Sequence, residues 1–211
     1  DSQKTVLAVG GPRNNLKRIK ESIKSNLDLI SHTKNESQFA ALKGNGSFIA
    51  WTYSSNQATQ RELERNVSSV TATYDSFALV KRDGSVTVTG DVENLPGNLH
   101  SDVTNVFSTR GAFAALKNDG SVITWGHSEF GGNSDGVSEH ISSGVRRIFT
   151  TDNSFAALKE NGALVGWGYF YGSDYMRVDP IISSNVSDFF STGRGAFTVL
   201  KTDGTIFTWG R

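Results

Sequence analysis

Apolar and polar positions follow a repeating pattern along this chain of 211 residues. The clearest copy covers residues 113–126 and reads FAALKNDGSVITWG, an apolar run, a polar turn and a second apolar run. Further copies begin at Phe39, Phe77, Phe155 and Phe197. The turn glycines of successive copies lie 36 to 42 residues apart, at Gly46, Gly84, Gly120, Gly162 and Gly204. A period in this range indicates a repeat architecture such as a solenoid or a propeller.

Each copy predicts three short strands joined by turns. The first is an alternating run, as in residues 103–108, 145–150 and 186–191. The second is the run that begins with phenylalanine, and the third ends near a tryptophan in four of the five copies. An Asn-Gly or Asp-Gly pair separates the second strand from the third, which is a strong hairpin signal. We therefore expect hairpins with tight primed turns, in which both central residues have positive φ.

The second and third strands carry apolar side chains on both faces. Phe113 and Ala115 point to one side of the second strand. Ala112, Ala114 and Leu116 point to the other side, because successive side chains of a strand alternate. A strand without outward polar residues is covered on both faces. Small sheets stacked face to face satisfy this condition, so the sequence predicts an all-β propeller, or propeller segment, of about five three- to four-stranded blades.

The repeats divide the chain into five complete units and one leftover strand. Residues 5–9 match a third strand that lacks its first two. The five units cover residues 11–52, 53–90, 91–126, 127–168 and 169–211. Two interpretations stay open. The chain is part of a longer array, which we favour, or it is a closed five-bladed ring in which the extra strand seals the seam and removes exposed strand edges.

Composition narrows the classes of function. The 21 basic and 21 acidic residues give a net charge of zero, which argues against binding of nucleic acid by a bulk basic surface. The chain contains no cysteine, so disulfides and thiolate metal sites are excluded. This absence suits a secreted or cell-surface bacterial protein. No apolar run approaches the ~20 residues of a membrane span, so no transmembrane segment is predicted.

The sequence predicts neither an active site nor a bound cofactor. The histidines fall in different registers of different repeats, at His32, His100, His127 and His140. No His-x-x-His spacing is present, although such spacing is typical of a metal site. The Asn-Gly and Asp-Gly pairs are interpreted as turn residues and not as ligands of a metal or a phosphate. We therefore expect a protein that is not an enzyme.

The sequence motif at residues 113–126 resembles the repeat of the regulator-of-chromosome-condensation superfamily. The resemblance looks closest to the short bacterial repeats, as in beta-lactamase inhibitory protein II. The resemblance is strongest at residues 103–126, 145–168 and 186–210. It implies a β-propeller, typically seven-bladed, with three or four strands in each blade. It also implies a protein-binding function, either nucleotide exchange on small GTPases or inhibition of enzymes.

The connectors between repeats differ in sequence, so they are where specificity is expected. The connector at residues 169–177 is rich in aromatic residues and arginine, the usual hot-spot residues of protein interfaces. Its packing against a blade edge is the alternative interpretation. The candidate contact residues of this connector are Tyr169, Phe170, Tyr171, Asp174, Tyr175 and Arg177.

Two other connectors predict helical structure. In residues 11–24, Leu16, Ile19 and Ile23 recur at helical spacing, so a short amphipathic helix is expected there. Its basic residues offer a surface for an anionic partner, or simply a solvated helix face. They are Arg13, Lys17, Arg18 and Lys20. In the next connector, residues 61–65 read RELER and predict an exposed helical turn.

The sequence thus favours a non-catalytic scaffold that binds a protein partner through connector loops on a propeller face. A carbohydrate-binding propeller is the alternative. One sugar site in each blade would need similar polar and aromatic residues at equivalent connector positions, and the connectors are dissimilar. A purely structural repeat within a large surface protein is the third possibility.

Overall fold

A computed structural model describes residues 27–32, 38–54, 57–90, 92–169, 181–182, 184–191 and 197–209. These residues form five antiparallel sheets and contain no α-helix. Blade 1 contains β1 (Leu27–His32), β2 (Gln38–Lys43), β3 (Phe48–Ser54) and β4 (Gln57–Glu64). Blade 2 contains β5 (Val67–Ala72), β6 (Ser76–Lys81) and β7 (Val86–Gly90). Blade 3 contains β8 (Val103–Ser108), β9 (Ala112–Lys117) and β10 (Val122–Gly126).

The two remaining blades follow the same plan. Blade 4 contains β11 (Val145–Thr150), β12 (Ser154–Lys159), β13 (Leu164–Gly168) and the short β14 (Ile181–Ile182). Blade 5 contains β15 (Val186–Ser191), β16 (Phe197–Lys201) and β17 (Ile206–Trp209). The order of strands in every sheet is their order in the chain, so each blade is a β-meander. The predicted all-β propeller blades with three or four strands are confirmed.

The helical turn predicted at residues 61–65 is wrong, because residues 61–64 belong to β4 and residue 65 lies in the bend that follows this strand. This strand pairs with β3 along its length, from Ser54 opposite Gln57 to Phe48 opposite Glu64. The local preference of the sequence RELER for a helix is small compared with a row of main-chain hydrogen bonds to an open sheet edge. Tertiary pairing therefore determines the structure of this segment.

The middle strand of a blade is buried on both faces, as the sequence predicted. On one side of β9, Phe113 and Ala115 belong to a cluster that includes Val80 of blade 2. On the other side, Ala114 packs in a cluster with Phe155 of blade 4. Complete burial of a phenylalanine side chain stabilises the fold by about 2 kcal/mol. The core is therefore a series of layers between blades.

The repeated aromatic residues are core residues. Phe113 stacks on Trp125 with ring centroids 5.2 Å apart, and Phe155 stacks on Trp167 at 5.3 Å. Both pairs face each other across the hairpin between the second and third strands. The ring N–H of Trp167 also donates a hydrogen bond to the carbonyl oxygen of Gly131, at 3.1 Å. This bond holds the preceding connector against blade 4.

The first strands of successive blades lie side by side. β5 contacts both β1 and β8, and β8 contacts β11. Each first strand of blades 2 to 5 begins with a bulge, at which one residue has no partner in the register. The first strand is therefore the innermost strand of the blade, and the third strand lies farther out.

Candidate functional site

The blades present two different ends. Because neighbouring strands are antiparallel, the turns between first and second strands all lie at one end, which we name the turn face. The hairpins between second and third strands all lie at the opposite end, the hairpin face. Both ends carry short loops at regular intervals. Their chemistry differs, and this difference locates the candidate site.

At the hairpin face, the loops have three residues. In blade 3, the N–H of Gly120 donates to the carbonyl oxygen of Lys117 at 3.0 Å, and the N–H of Lys117 donates to that of Ser121 at 2.9 Å. Gly120 has φ +75°, whereas Asp119 is not among the residues with positive φ. This is the pattern of a turn followed by a left-handed glycine. The hairpin is confirmed, but the predicted primed turn with two positive φ angles is wrong.

The aspartates of these hairpins are engaged in the turn itself. The carboxylate of Asp119 accepts hydrogen bonds from the hydroxyl of Ser121 at 2.6 Å and from its N–H at 2.9 Å. These two bonds hold the pKa of Asp119 below its usual range. Ser85 has the same effect on the pKa of Asp83. The interpretation of these residues as turn residues is confirmed.

The hairpins also join each blade to the next. The N–H of Val145, which begins blade 4, donates to the carbonyl oxygen of Gly120 in blade 3 at 2.9 Å. The same bond joins the other described blade pairs, from Val67 to Gly46, from Val103 to Gly84 and from Val186 to Gly162. The hairpin face therefore uses the same residue types in every blade for blade stacking.

At the turn face, one threonine in each described turn is buried and its hydroxyl is bonded. The hydroxyl of Thr109 accepts the N–H of Ala112 at 3.1 Å and donates to the carbonyl oxygen of Phe130 at 2.8 Å. Thr73 and Thr151 are also buried, and each accepts the N–H of the residue three positions later. The threonine fixes the backbone of the turn, so the next residue projects outward.

The residues that follow these threonines form a row, which we name the tip row: Tyr74, Arg110 and Asp152. The N–H of Tyr74 donates to the carbonyl oxygen of Arg110, and the N–H of Arg110 donates to that of Asp152, both at 2.7 Å. The guanidinium of Arg110 lies 4.9 Å from the centre of the Tyr74 ring. All three side chains are exposed, and Tyr74 is 41% accessible. The tip row is thus a rigid line of three different side chains.

The connector at residues 169–177 starts beside the tip row. The N–H of Tyr169 donates to the carbonyl oxygen of Asn153 at 2.9 Å, and Asn153 directly follows Asp152. The side chain of Tyr169 is 54% exposed. The other predicted contact residues lie outside the described residues, namely Phe170, Tyr171, Asp174, Tyr175, Arg177, Arg13, Lys17, Arg18 and Lys20, as does the predicted strand at residues 5–9.

Two other connectors are tied together at the turn face. His127 Nδ1 lies 3.2 Å from a carboxylate oxygen of Glu93, and the N–H of His127 donates to the carbonyl oxygen of Gly111. The ring of Phe130 meets the His127 ring edge to face, with centroids 6.1 Å apart. These contacts place connector residues beside the turn that carries Arg110. The turn face therefore combines short turns and long connectors in one surface.

The tip row is missing from the sequence-based prediction, which places partner contacts only in the long connectors. Its signal in the sequence is a threonine at one position of the repeat, followed by unrelated residues. In the sequence, residues 109–111 and 151–153 indicate only short polar turns. The tip row can be recognised only when the structure shows that the threonine points inward and that the turns of successive blades are neighbours.

One sequence in the connector after blade 3 does match a serine-hydrolase motif. Residues 132–136 read Gly-Asn-Ser-Asp-Gly, the pattern Gly-x-Ser-x-Gly. The hydroxyl of Ser134 bonds to the hydroxyl of Thr124 at 2.9 Å, and Ser134 is followed by the 3-10 helix Asp135–Val137. A nucleophile elbow instead joins a strand directly to an α-helix and faces a histidine. The geometry around Ser134 does not provide these features.

Within the described ranges, no three side chains of the histidine, aspartate and glutamate types are grouped to hold a metal ion. The same part of the chain has no helix that is both long and apolar enough to cross a membrane.

No protein-family model matches the chain, and no curated protein matches it. Solved structures do resemble it. Human WBSCR16 matches with a TM-score of 0.59 and 16% identity over 87% of this chain and 61% of that one. Prp20p from Saccharomyces cerevisiae matches with a TM-score of 0.54 and 15% identity over 94% and 61%. Yeast RCC1 (Prp20), in a complex with Kap60, matches with a TM-score of 0.50 and 13% identity over 82% and 54%.

The chain spans about three fifths of the length of the first two of these solved chains, 61% in each case. At such low identities the similarity concerns the fold. The closer resemblance to the short bacterial repeats stays a prediction, as do the boundaries of the five repeats. The layered blades, the meander order and the similarity to Prp20p together show that this chain has the RCC1-type propeller repeat fold.

Proposed function

We propose that this propeller is a non-catalytic module that binds a protein partner through its turn face. The observation that carries the proposal is the tip row. There the backbone of each turn is fixed by a buried threonine, while the exposed side chain changes from Tyr74 to Arg110 to Asp152. A constant frame with variable side chains is typical of a recognition surface.

The chemistry of the tip row suits a protein interface. Tyrosine and arginine are the residues that most often dominate binding energy, and a guanidinium over a tyrosine ring contributes about 0.5–1 kcal/mol at an exposed site. The main-chain bonds from Tyr74 to Arg110 and from Arg110 to Asp152 hold the row in place before a partner arrives. Little conformational entropy is then lost when the partner binds. Tyr169 adds a second exposed aromatic at the edge of this row.

Proteins with a similar fold support a protein partner. Yeast RCC1 (Prp20) has been solved in a complex with Kap60, and Prp20p has binding properties to Gsp1p and histones. These are properties of those proteins. They favour a binding function over catalysis for the present chain, whose own partner is to be found by experiment.

The carbohydrate-binding alternative makes a different prediction for the same residues. A sugar site repeated in each blade needs the same side chains at equivalent tips, whereas the three tips here are aromatic, cationic and anionic. One composite protein surface agrees better with this variety. Sugar-competable hits on a glycan array, lost when Tyr74 is replaced by alanine, would favour the carbohydrate alternative.

The test compares two variants of the immobilised protein. The first combines Tyr74→Ala with Arg110→Glu in the tip row, and the matched control, Arg82→Glu, reverses an exposed arginine on the hairpin face. Proteins captured from the source organism are quantified by mass spectrometry, and binding of each candidate is then measured by calorimetry. We expect a partner that the control retains and the tip-row variant loses by about 100-fold or more, since two hot-spot residues are removed.

A partner bound equally by both variants would contradict the turn-face proposal. The basic connector offers a separate hypothesis. If the surface of Lys17, Arg18 and Lys20 binds an anionic partner, their replacement by glutamate abolishes a salt-sensitive interaction. Unchanged binding by that variant would remove the basic connector from the interface without affecting the tip row.

A further inference from the structure

The innermost strands carry a second set of variable residues, this time near the hairpin face. Just after its first valine, each first strand of blades 2 to 5 has two residues that point away from the layers between blades. In three blades these residues are neutral or acidic. The pairs are Ser68 and Ser69 in blade 2, Thr104 and Asn105 in blade 3, Arg146 and Arg147 in blade 4, and Ser187 and Asp188 in blade 5.

Grooves lie between neighbouring blades at these positions. One, of about 440 Å³, separates blades 2 and 3 and is lined by Ser68, Val80 and Thr104 among others. The other, of about 250 Å³, separates blades 4 and 5 and is lined by Arg146, Arg147, Phe149, Leu158, Ser187 and Asp188. The two grooves are equivalent, because Ser68, Arg146 and Ser187 occupy the same bulge position of their strands. The groove between blades 2 and 3 is also lined by hairpin and connector residues, among them Arg82, Asp83 and Asp102.

The bulge position normally holds a hydroxyl that bonds within its own blade. Ser68 donates to the carbonyl oxygen of Val80 at 2.9 Å, and Ser187 donates to that of Leu200 at 3.0 Å. Arg146 occupies this position in blade 4 and makes no such bond. An arginine where the repeat uses a small hydroxyl residue is not required by the fold. This departure points to a role outside blade stacking.

The two arginines are held at the groove without a carboxylate partner. Arg147 lies over the ring of Phe149, with its guanidinium carbon 4.7 Å from the ring centre. Among the described residues, no carboxylate lies within ion-pair distance of either guanidinium, and both side chains are exposed. Stacking on an aromatic ring fixes the plane of a guanidinium, so that its N–H groups are aimed before a ligand binds.

We propose that the groove between blades 4 and 5 binds a carboxylate group of an acidic peptide segment. Paired guanidinium groups match the geometry of carboxylate and phosphate oxygens. A groove of about 250 Å³ suits one side chain and is smaller than the usual pocket for a drug-sized ligand. Asp188 on the opposite wall repels additional negative charge, so a singly charged carboxylate is favoured over a phosphate dianion or a nucleic acid. This site is independent of the tip row.

The test is an NMR titration of the isotope-labelled protein with capped peptides. The probe peptide is Gly-Ser-Glu-Ser-Gly and its control is Gly-Ser-Gln-Ser-Gly. Sodium acetate and inorganic phosphate are titrated separately. We expect the glutamate peptide to shift the signals of Arg146, Arg147 and Ser187 in a saturable manner. Its affinity should exceed that of the glutamine peptide by about tenfold or more, the contribution of hydrogen bonds to a charged group.

Two variants test whether binding of the glutamate peptide depends on Arg146 and Arg147. Arg147→Ala should weaken binding by about tenfold. The control Arg82→Ala removes an exposed arginine of the blade 2 hairpin, which does not line this groove, and should leave the affinity unchanged. In the double variant Arg146→Ser with Arg147→Ser, the new serine can make the hydroxyl bond seen in blades 2 and 5, so the fold is expected to persist.

A transfer variant makes the proposal sharper. Ser68→Arg and Ser69→Arg are added to the double serine variant, so that the arginine pair moves to the equivalent groove between blades 2 and 3. We expect the shifted signals to move with it, to Val80 and Thr104, with weaker binding than in the natural groove, because Thr71 stands where blade 4 has Phe149. The proposal is overturned if the glutamine peptide binds as well as the glutamate peptide, if phosphate binds more tightly than the glutamate peptide, or if the shifts do not depend on Arg147.

Discussion

The loops at the two ends of this propeller are held in shape by different residues. At the hairpin face, a glycine with positive φ and a bonded Asn or Asp side chain shape every loop, and the loop oxygen receives the next blade. At the turn face, one buried threonine shapes the loop, and the loop does not require a particular side chain at the following residue. Where the whole loop is needed for stacking, its sequence is repeated. Where one buried residue is sufficient, the exposed neighbour can vary and recognise a partner.

The strongest test of this comparison is at the hairpin glycines. In Gly120→Ala, the new Cβ would lie 2.8 Å from the main-chain nitrogen of Gly144 in the next blade. The alanine would also have to adopt the positive φ of Gly120. We expect a loss of unfolding free energy of about 3 kcal/mol, measured by chemical denaturation.

The matched control is Gly204→Ala. Gly204 also has a positive φ, of +84°, but its Cβ would meet no atom of the described residues within 4 Å. Only the backbone strain remains, so a loss of about 1 kcal/mol is expected. Equal losses at the two positions would show that contact with the next blade does not constrain the hairpin.

A smaller effect is expected at the turn face. Thr109→Val keeps the shape of the side chain but leaves the N–H of Ala112 and the carbonyl oxygen of Phe130 without their hydroxyl partner. Such a loss costs about 2 kcal/mol. The neighbouring Arg110→Ala should cost less than about 1 kcal/mol, because this side chain is exposed and loses only its contact with the ring of Tyr74. Thermal and chemical unfolding of both variants would measure the difference, and a larger loss for Arg110→Ala would break the comparison.

The smallest expected effect is a pH dependence of the hairpins. The pKa of Asp119 is lowered in the folded state, so its ionised form contributes stability above the ordinary value of 3.8, and this contribution is lost as the pH falls through the lowered pKa. In Asp119→Asn this dependence should disappear, while the side-chain oxygen still accepts an N–H, as in Asn45 and Asn161. Unfolding curves at pH 7 and at pH values below 3.8 compare the two proteins. A stability difference that is the same at all pH values would contradict the assignment.

Much of the fold could be predicted from the sequence because each blade repeats the same local pattern. The two apolar faces of the strand around Phe113 require two neighbouring sheets, and the layers on both sides of β9 confirm this. The turn type at Asp119-Gly120 could not be read in the same way, because Asp-Gly pairs occur both in primed turns and in three-residue loops. The strand β4 could not be predicted, because its last four residues read RELE, which resembles a helical turn, and they pair only with the sheet edge that the fold provides.

The candidate site was less predictable than the fold. The aromatic connector at residues 169–177 predicts Tyr169 as a contact residue, because connectors differ among repeats, and this stays a prediction. Arg110 and Arg147 are not predicted in this way, since each occupies a position where the sequence shows only a polar residue in a turn or a strand. The roles proposed for them depend on neighbours from other repeats, such as Tyr74 beside Arg110. Contacts between residues about 36 to 42 positions apart require the three-dimensional order of the blades.

The bonds between blades have a consequence for how such chains change over generations. Val145 reaches Gly120, and Arg110 reaches Asp152, through main-chain atoms alone. A tandem duplication of one unit of about 40 residues that keeps the hairpin glycine and the buried apolar residues would therefore meet its new neighbours with the same bonds, whatever its exposed side chains. Recombination can therefore lengthen or shorten the array, because the main-chain bonds between blades form again at each new junction. Afterwards, selection can alter the exposed residues of each copy separately.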